Sequence, residues 1–280
     1  MAFYLSCAGQ YASGAGEPET ALKYYAESIA TDPQWTDAEL TYRNLGAAEV
    51  TLGQLSLASD HFIEALWRLA MSGLDQEQPD TLSWTAYVSC LRGDLPRAEA
   101  DFLQADTLAS AIRGRTKGHT RLTIRWAEHL LRTGATVRAR ELIEENRARW
   151  SRDGSEDDLA CCEWILAWLD ALAKNWSDSH DHLERAKVTF TSGHMIHELG
   201  RVFITEAGCF LDQAHWQPAL ASCERAIQLA APRSYRLIQA DALCLRGRIL
   251  LHGSKPGTGD DTLTRLPIDR STASFSVGHR

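Results

Sequence analysis

Along residues 45–69, LGAAEVTLGQLSLASDHFIEALWRL, apolar side chains recur at intervals of three and four on either side of Gly53. That spacing gives each segment one apolar face at the helical period, so the stretch reads as two helices joined by a tight turn. The smallest residues, Gly46, Ala58 and Ala65, hold positions on that face where bulk is expected. The arrangement returns along the chain. From Gly46 the steps are twelve to Ala58, four to Phe62 and three to Ala65. The same walk leads from Gly9 to Ala21, Tyr25 and Ser28, and from Ala86 to Ala98, Phe102 and Ala105. It leads from Ala127 to Ala139, Ile143 and Asn146, from Ala167 to Ser179, Leu183 and Ala186, and from Ala207 to Ala219, Cys223 and Ala226. Gly247 begins a seventh unit that has no second half, and successive starts lie 37, 40, 41, 40, 40 and 40 residues apart.

A second mark keeps the same phase. Seven residues after the start come Gly16, Gly53, Gly93 and Gly134, with Lys174 and Ala214 in the later units. Glycine is favoured just past a helix end because it enters the left-handed conformation without a Cβ penalty. Pro18, Pro96 and Pro218 follow where a first helical turn accepts proline. Each unit is therefore predicted to be helix, tight turn, helix. Two such helices approach closely only where both present small side chains, so a larger residue at Gly46 is expected to cost about 1–3 kcal/mol in strain.

Small residues, an aromatic and a trailing proline at these offsets resemble the tetratricopeptide repeat, most closely in AGQYASGAGEPETALKYYAESIATDP. Members of that family typically repeat every 34 residues or so, and the stretched period of this chain is similar to that of the sensor arms of bacterial signal-transduction ATPase regulators. The resemblance implies an all-α, right-handed superhelical solenoid of six helix pairs and one further helix, spanning residues 1–253. Residues 254–280, rich in Gly, Ser, Thr and Pro and without helical period, are expected to form a flexible tail. The first helix starts almost at Met1 with no capping residue, and the last lacks its partner. Solenoids need capped ends, so a fragment of a longer ancestor, or a homo-oligomer joined through those ends, is expected.

The family resemblance also implies a concave binding groove, lined by the residue after each start and the one three before it. This places Arg43 and Ala47, Ser83 and Tyr87, Ile124 and Glu128, Trp164 and Trp168, then Ile204 and Arg248 along the groove. Aromatics and arginine often dominate interface energies, though two tryptophans four apart equally suit packing against the next repeat. The lysines of a chaperone-tail clamp are not matched. The implied function is a non-enzymatic scaffold holding a partner helix or peptide, with a ligand- or peptide-sensing arm of a bacterial regulator as the alternative.

Composition narrows this further. A net charge of −8 argues against whole-surface binding to nucleic acid or membrane. With no membrane-length apolar run and no secretory leader, a cytoplasmic protein is expected. Between Arg113 and Arg152 the balance reverses to +7, leaving −15 elsewhere. Arg121, Arg125 and Arg132 belong to this basic run, which reads first as a solvated face and second as a dock for an acidic partner. The seven cysteines form no C-x-x-C pair and read as reduced thiols buried as small hydrophobes. His180 and His182, two apart, point in different directions on a helix. His194 and His197, three apart, could share a face but have no third ligand placed beside them, so no metal site is expected. GSKPGTG fails as a phosphate loop, and HELGR lacks the second histidine of a zinc protease motif. Neither cofactor nor catalytic residues are expected.

Overall fold

In a computed structural model, the described residues are 1–33, 35, 37–112, 120–153 and 155–253. The expected tail at 254–280 lies outside them. Thirteen α-helices run through these residues, without a strand among them. The pairs are α1 (Ala2–Gly14) with α2 (Pro18–Thr31), α3 (Ala38–Thr51) with α4 (Leu55–Ser72), and α5 (Gln78–Leu91) with α6 (Leu95–Ala111). They continue as α7 (Thr120–Arg132) with α8 (Thr136–Asp153), α9 (Glu156–Leu172) with α10 (Trp176–Ser192), and α11 (Ile196–Asp212) with α12 (Trp216–Ala230). The last helix, α13 (Arg236–Gly253), stands without a partner in the described residues. The chain is thus the right-handed solenoid of helix pairs that the repeat implied.

The turns inside the pairs share one geometry. Gly16, Gly53, Gly93 and Gly134 have φ between 76° and 84°, and Lys174 and Ala214 occupy the same region at 62° and 58°. The residue after each of these six donates its N–H to the carbonyl five residues back, as Gln54 does to Glu49 at 2.8 Å and His215 does to Phe210 at 2.8 Å. This is the bond that satisfies the frayed carbonyls of a helix C-terminus. A side chain in that conformation costs about 1–2 kcal/mol, partly returned by glycine's larger loss of freedom on folding. Ala214→Gly is therefore expected to raise the melting temperature by roughly 1–3 °C, and an unchanged or lower thermal melt would count against the shared turn.

Small residues mark the helix crossings: Ala58, Ala86, Ala98, Ala127, Ala139, Ala167 and Ala207 are fully buried. The aromatics work between and within units. An added Cβ at Gly46 would lie 2.7 Å from Phe62 Cε1, and one at Gly9 would lie 2.5 Å from Tyr25 Cε1. Phe62 therefore covers the glycine of its own unit, and its ring also stacks on Trp84 of the next, with centroids 5.6 Å apart. Phe102 stacks on Trp126 in the same way at 6.2 Å.

The superhelix meets itself. The Tyr235 hydroxyl, just before α13, donates to the Gly16 carbonyl at 3.1 Å across 219 residues. Beside it, an added Cβ at Gly53 would lie 3.1 Å from Arg236 Cβ. The last unit rests on the turns of the first two, and the concave face becomes the wall of a chamber.

Three cysteines depart from the sequence reading: Cys7 and Cys244 are exposed and Cys161 is half-buried, while Cys90, Cys162, Cys209 and Cys223 are buried. Among the described residues, no helix is long and apolar enough to cross a membrane.

Candidate functional site

The first helices of the units (α1, α3, α5, α7, α9, α11 and α13) enclose a cavity of about 600 Å³. Of the residues expected along a groove, Ala47, Tyr87, Ile124, Glu128, Trp164, Trp168, Ile204 and Arg248 line it. Arg43 and Ser83 do not. Arg43 is turned aside by Glu77, at 2.5 Å, and by Asp80, at 3.7 Å. Ser83 is buried beneath Arg125, whose Nε donates to its hydroxyl at 3.0 Å.

The two tryptophans belong to wall and packing together. Each is only 5% exposed, and their rings are 6.2 Å apart. Trp164 Nε1 donates to the Thr205 hydroxyl at 2.8 Å, which fixes the ring against α11. The Arg201 guanidinium sits over its face at 4.2 Å. A second pair of this kind, Arg125 over Trp84 at 4.2 Å, lies two units earlier. Such stacking suits arginine, whose planar guanidinium is weakly hydrated.

The basic run is not one solvated face. Arg121, Arg125 and Arg132 all line the chamber, because the inward stripe of α7 carries them. Arg125 is buried and paired with Asp80. Arg121 stays open to solvent within the concavity, where Glu198, Asp80 and Asp158 act on it electrostatically. On α8 the arginines do reach the surface and pair locally: Arg140 with Asp170 at 2.7 Å, and Arg147 with Glu163 at 2.8 Å.

Glu128 is the electrostatic centre. It accepts from Arg132 at 2.9 Å, from Tyr87 at 3.3 Å, and from Arg201, which reaches it from α11. Burial alone would raise its pKa, but the Arg201 and Arg132 charges overcome this and hold it at about 2. Burial pushes the Tyr87 hydroxyl up to about 12, so it stays a neutral donor. Both arginines are held more firmly protonated than usual, since Glu128 outweighs the burial that opposes their charge.

The histidines separate. His194 and His197 line the chamber, and the His197 ring meets Tyr235 edge-on at 5.2 Å. His182 lies between Glu163, at 2.7 Å, and Asp170, at 3.4 Å, away from the chamber. His180, Glu184 and Glu206 bring ligand atoms within 4.8 Å of one another. Lys187 already supplies the cation there, 2.5 Å from Glu184 and 2.7 Å from Glu206.

Trp84, Arg201, Glu198 and Tyr235 also line the wall and were missed in the sequence. One signal was present for two of them. Trp84 and Arg125, like Trp164 and Arg201, are an aromatic and an arginine about one repeat apart, 41 and 37 residues.

No protein-family model matches the chain, and a search of curated proteins gave no match. Solved structures do match. A Rap protein complexed with competence and sporulation factor superposes with a TM-score of 0.64 at 9% identity, covering 89% of this chain and 76% of that one. The Rap conjugation gene regulator of the plasmid pLS20, in complex with the Phr* peptide, gives a TM-score of 0.64 at 14% identity, covering 92% and 77%. Identity this low shows a shared fold, that of the tetratricopeptide-like helical-repeat solenoid.

Proposed function

We propose that this chain is a non-enzymatic binding module whose concave chamber takes a short peptide. The observation that carries the reading is the chamber itself: about 600 Å³, walled by Tyr87, Trp164, Trp168 and Ile204 beside fixed charges. That volume lies in the range of ligand sites, which bury most of what they hold. The two solved neighbours are described in complex with a sporulation factor and with a peptide, which agrees with this reading. The polar wall is poorly suited to catalysis. Glu128 is committed to two arginines and a tyrosine, and burial raises the Cys161 thiol away from its nucleophilic form.

A ligand-sensing arm of a regulator is the second reading, favoured by the contact between Tyr235 and Gly16. A peptide entering the chamber would have to part these ends or settle beneath them, which couples binding to superhelical shape. On this reading small-angle scattering changes on adding the selected peptide, whereas a rigid scaffold gives superimposable curves.

Ala47→Trp tests the site with little risk to the core, because Ala47 is half-buried and faces the chamber. In selection from a synthetic pentapeptide library the native chain is expected to retain a reproducible set. The variant should lose it while melting within a few degrees of the native protein. A set retained equally by both would place binding elsewhere.

A further inference from the structure

We infer that the chamber contains a subsite for one carboxylate of its ligand, between Arg132 of α7 and Arg201 of α11. The inference rests on the peptide reading and adds the chemistry of one part of that peptide.

The sharing of one carboxylate by two arginines of the wall carries it. Arg43 and Arg125 face Glu77 and Asp80, two cations to two anions. At the next level, Arg132 and Arg201 share the single carboxylate of Glu128. Glu198 acts on Arg201 and Arg121 only from a distance and lies 4.0 Å from His197, whose pKa burial lowers. Glu99 is taken by His129, at 3.0 Å, and Arg138, at 3.2 Å. By direct contact, therefore, one carboxylate that is 2% exposed answers two guanidiniums.

The hydrogen bonds agree. Arg132 spends Nη2 on Glu128, while its Nε is buried without an acceptor. Glu128 would be satisfied without Arg132, because Arg201 and the Tyr87 hydroxyl already donate to it. Arg132 is therefore surplus to the internal network, yet it lines the chamber with Arg201 and Tyr87. A guanidinium presents a planar fork that matches a carboxylate. Trp164, beneath Arg201, supplies an apolar surface beside the anion.

The full chain is melted in sodium glutarate and in sodium chloride at equal ionic strength. Glutarate should raise the melting temperature by about 2 °C beyond the chloride control once it exceeds its dissociation constant several-fold. Arg132→Met keeps the apolar stem and removes the charge, so the excess should vanish; Arg132→Gln replaces it if the methionine variant does not fold. Arg138→Met removes an arginine outside the chamber wall and should keep the excess. No excess in the native chain, or an equal one without Arg132, overturns the subsite.

Peptide selection separates this inference from the reading beneath it. Pentapeptide pools are offered with free or amidated C-termini, each with and without Asp and Glu. The subsite requires retained peptides to carry a carboxylate, terminal or side-chain, and to bind about tenfold more weakly to Arg132→Met. A retained set that is amidated and free of acids overturns the subsite and leaves peptide binding standing. If no peptide is retained, peptide binding fails and the glutarate melt alone decides the subsite.

Discussion

Gly46→Leu should destabilise the protein by about 3 kcal/mol or more, at the upper end of overpacking penalties. The clash begins at the Cβ, which no side-chain rotation can move, and the three nearest atoms all belong to the Phe62 ring at 2.7–3.0 Å. Phe62 has nowhere to go: it is fully buried and its ring is stacked on Trp84. Ejecting it would approach the loss of a buried phenylalanine, about 3–5 kcal/mol. Thermal and urea melts should show the loss, and Gly46→Leu with Phe62→Ala should lose less than the sum of the single changes. Strict additivity would mean that the two residues do not share a space. Gly247 supplies the control, because it starts its unit as Gly46 does but has nothing within 4 Å of an added Cβ. Gly247→Ala should therefore stabilise, by up to about 1 kcal/mol from helix propensity alone.

Glu128→Gln is the second large expected effect, about 3 kcal/mol, because it removes the buried anion shared by two part-buried guanidiniums. Shape is nearly unchanged, so the loss is electrostatic. The same residue sets an acid limit. Its pKa falls from an ordinary 4.5 to about 2 in the folded protein. For a depressed carboxylate the stabilisation is complete above the unfolded value and disappears as pH drops through the folded one. Native stability in urea should thus fall between about pH 4.5 and pH 2, and Glu128→Gln should flatten that part of the profile. A native profile that coincides with the variant's over this range would remove Glu128 from the network.

The repeat was legible because helix pairing writes itself at fixed offsets. Gly46, Ala58 and Phe62 announce a crossing, and Gly53 the turn that makes it. Even Lys174 and Ala214, with the wrong side chains for the conformation, were placed by phase alone. The groove was only partly legible. Its stripe along α3 to α13 follows the same phase, which found Tyr87, Glu128 and Trp164. Side chains with stronger local partners leave that stripe, as Arg43 does for Glu77 and Asp80. The inward turn of Arg121, Arg125 and Arg132 was hidden because charge density says nothing about which helix face carries it. Tyr235, and the contact of Arg201 with Glu128, were out of reach for a different reason: they join units that are not neighbours. Those contacts depend on accumulated rotation from unit to unit, and no period in the sequence records it.

The contact between Tyr235 and Gly16 changes what sort of polymer the array is. A helical-repeat protein usually behaves as a one-dimensional chain of neighbours, nucleating anywhere and fraying first at its termini. A bond spanning 219 residues closes that line into a ring. Closing so long a loop in a disordered chain would cost roughly 5 kcal/mol in entropy, so the contact forms only after the intervening units have stacked. Folding therefore ends where the chain begins. Thereafter the two terminal units open together, and amide exchange in α2 and α13 should rise in step when Tyr235 loses its hydroxyl.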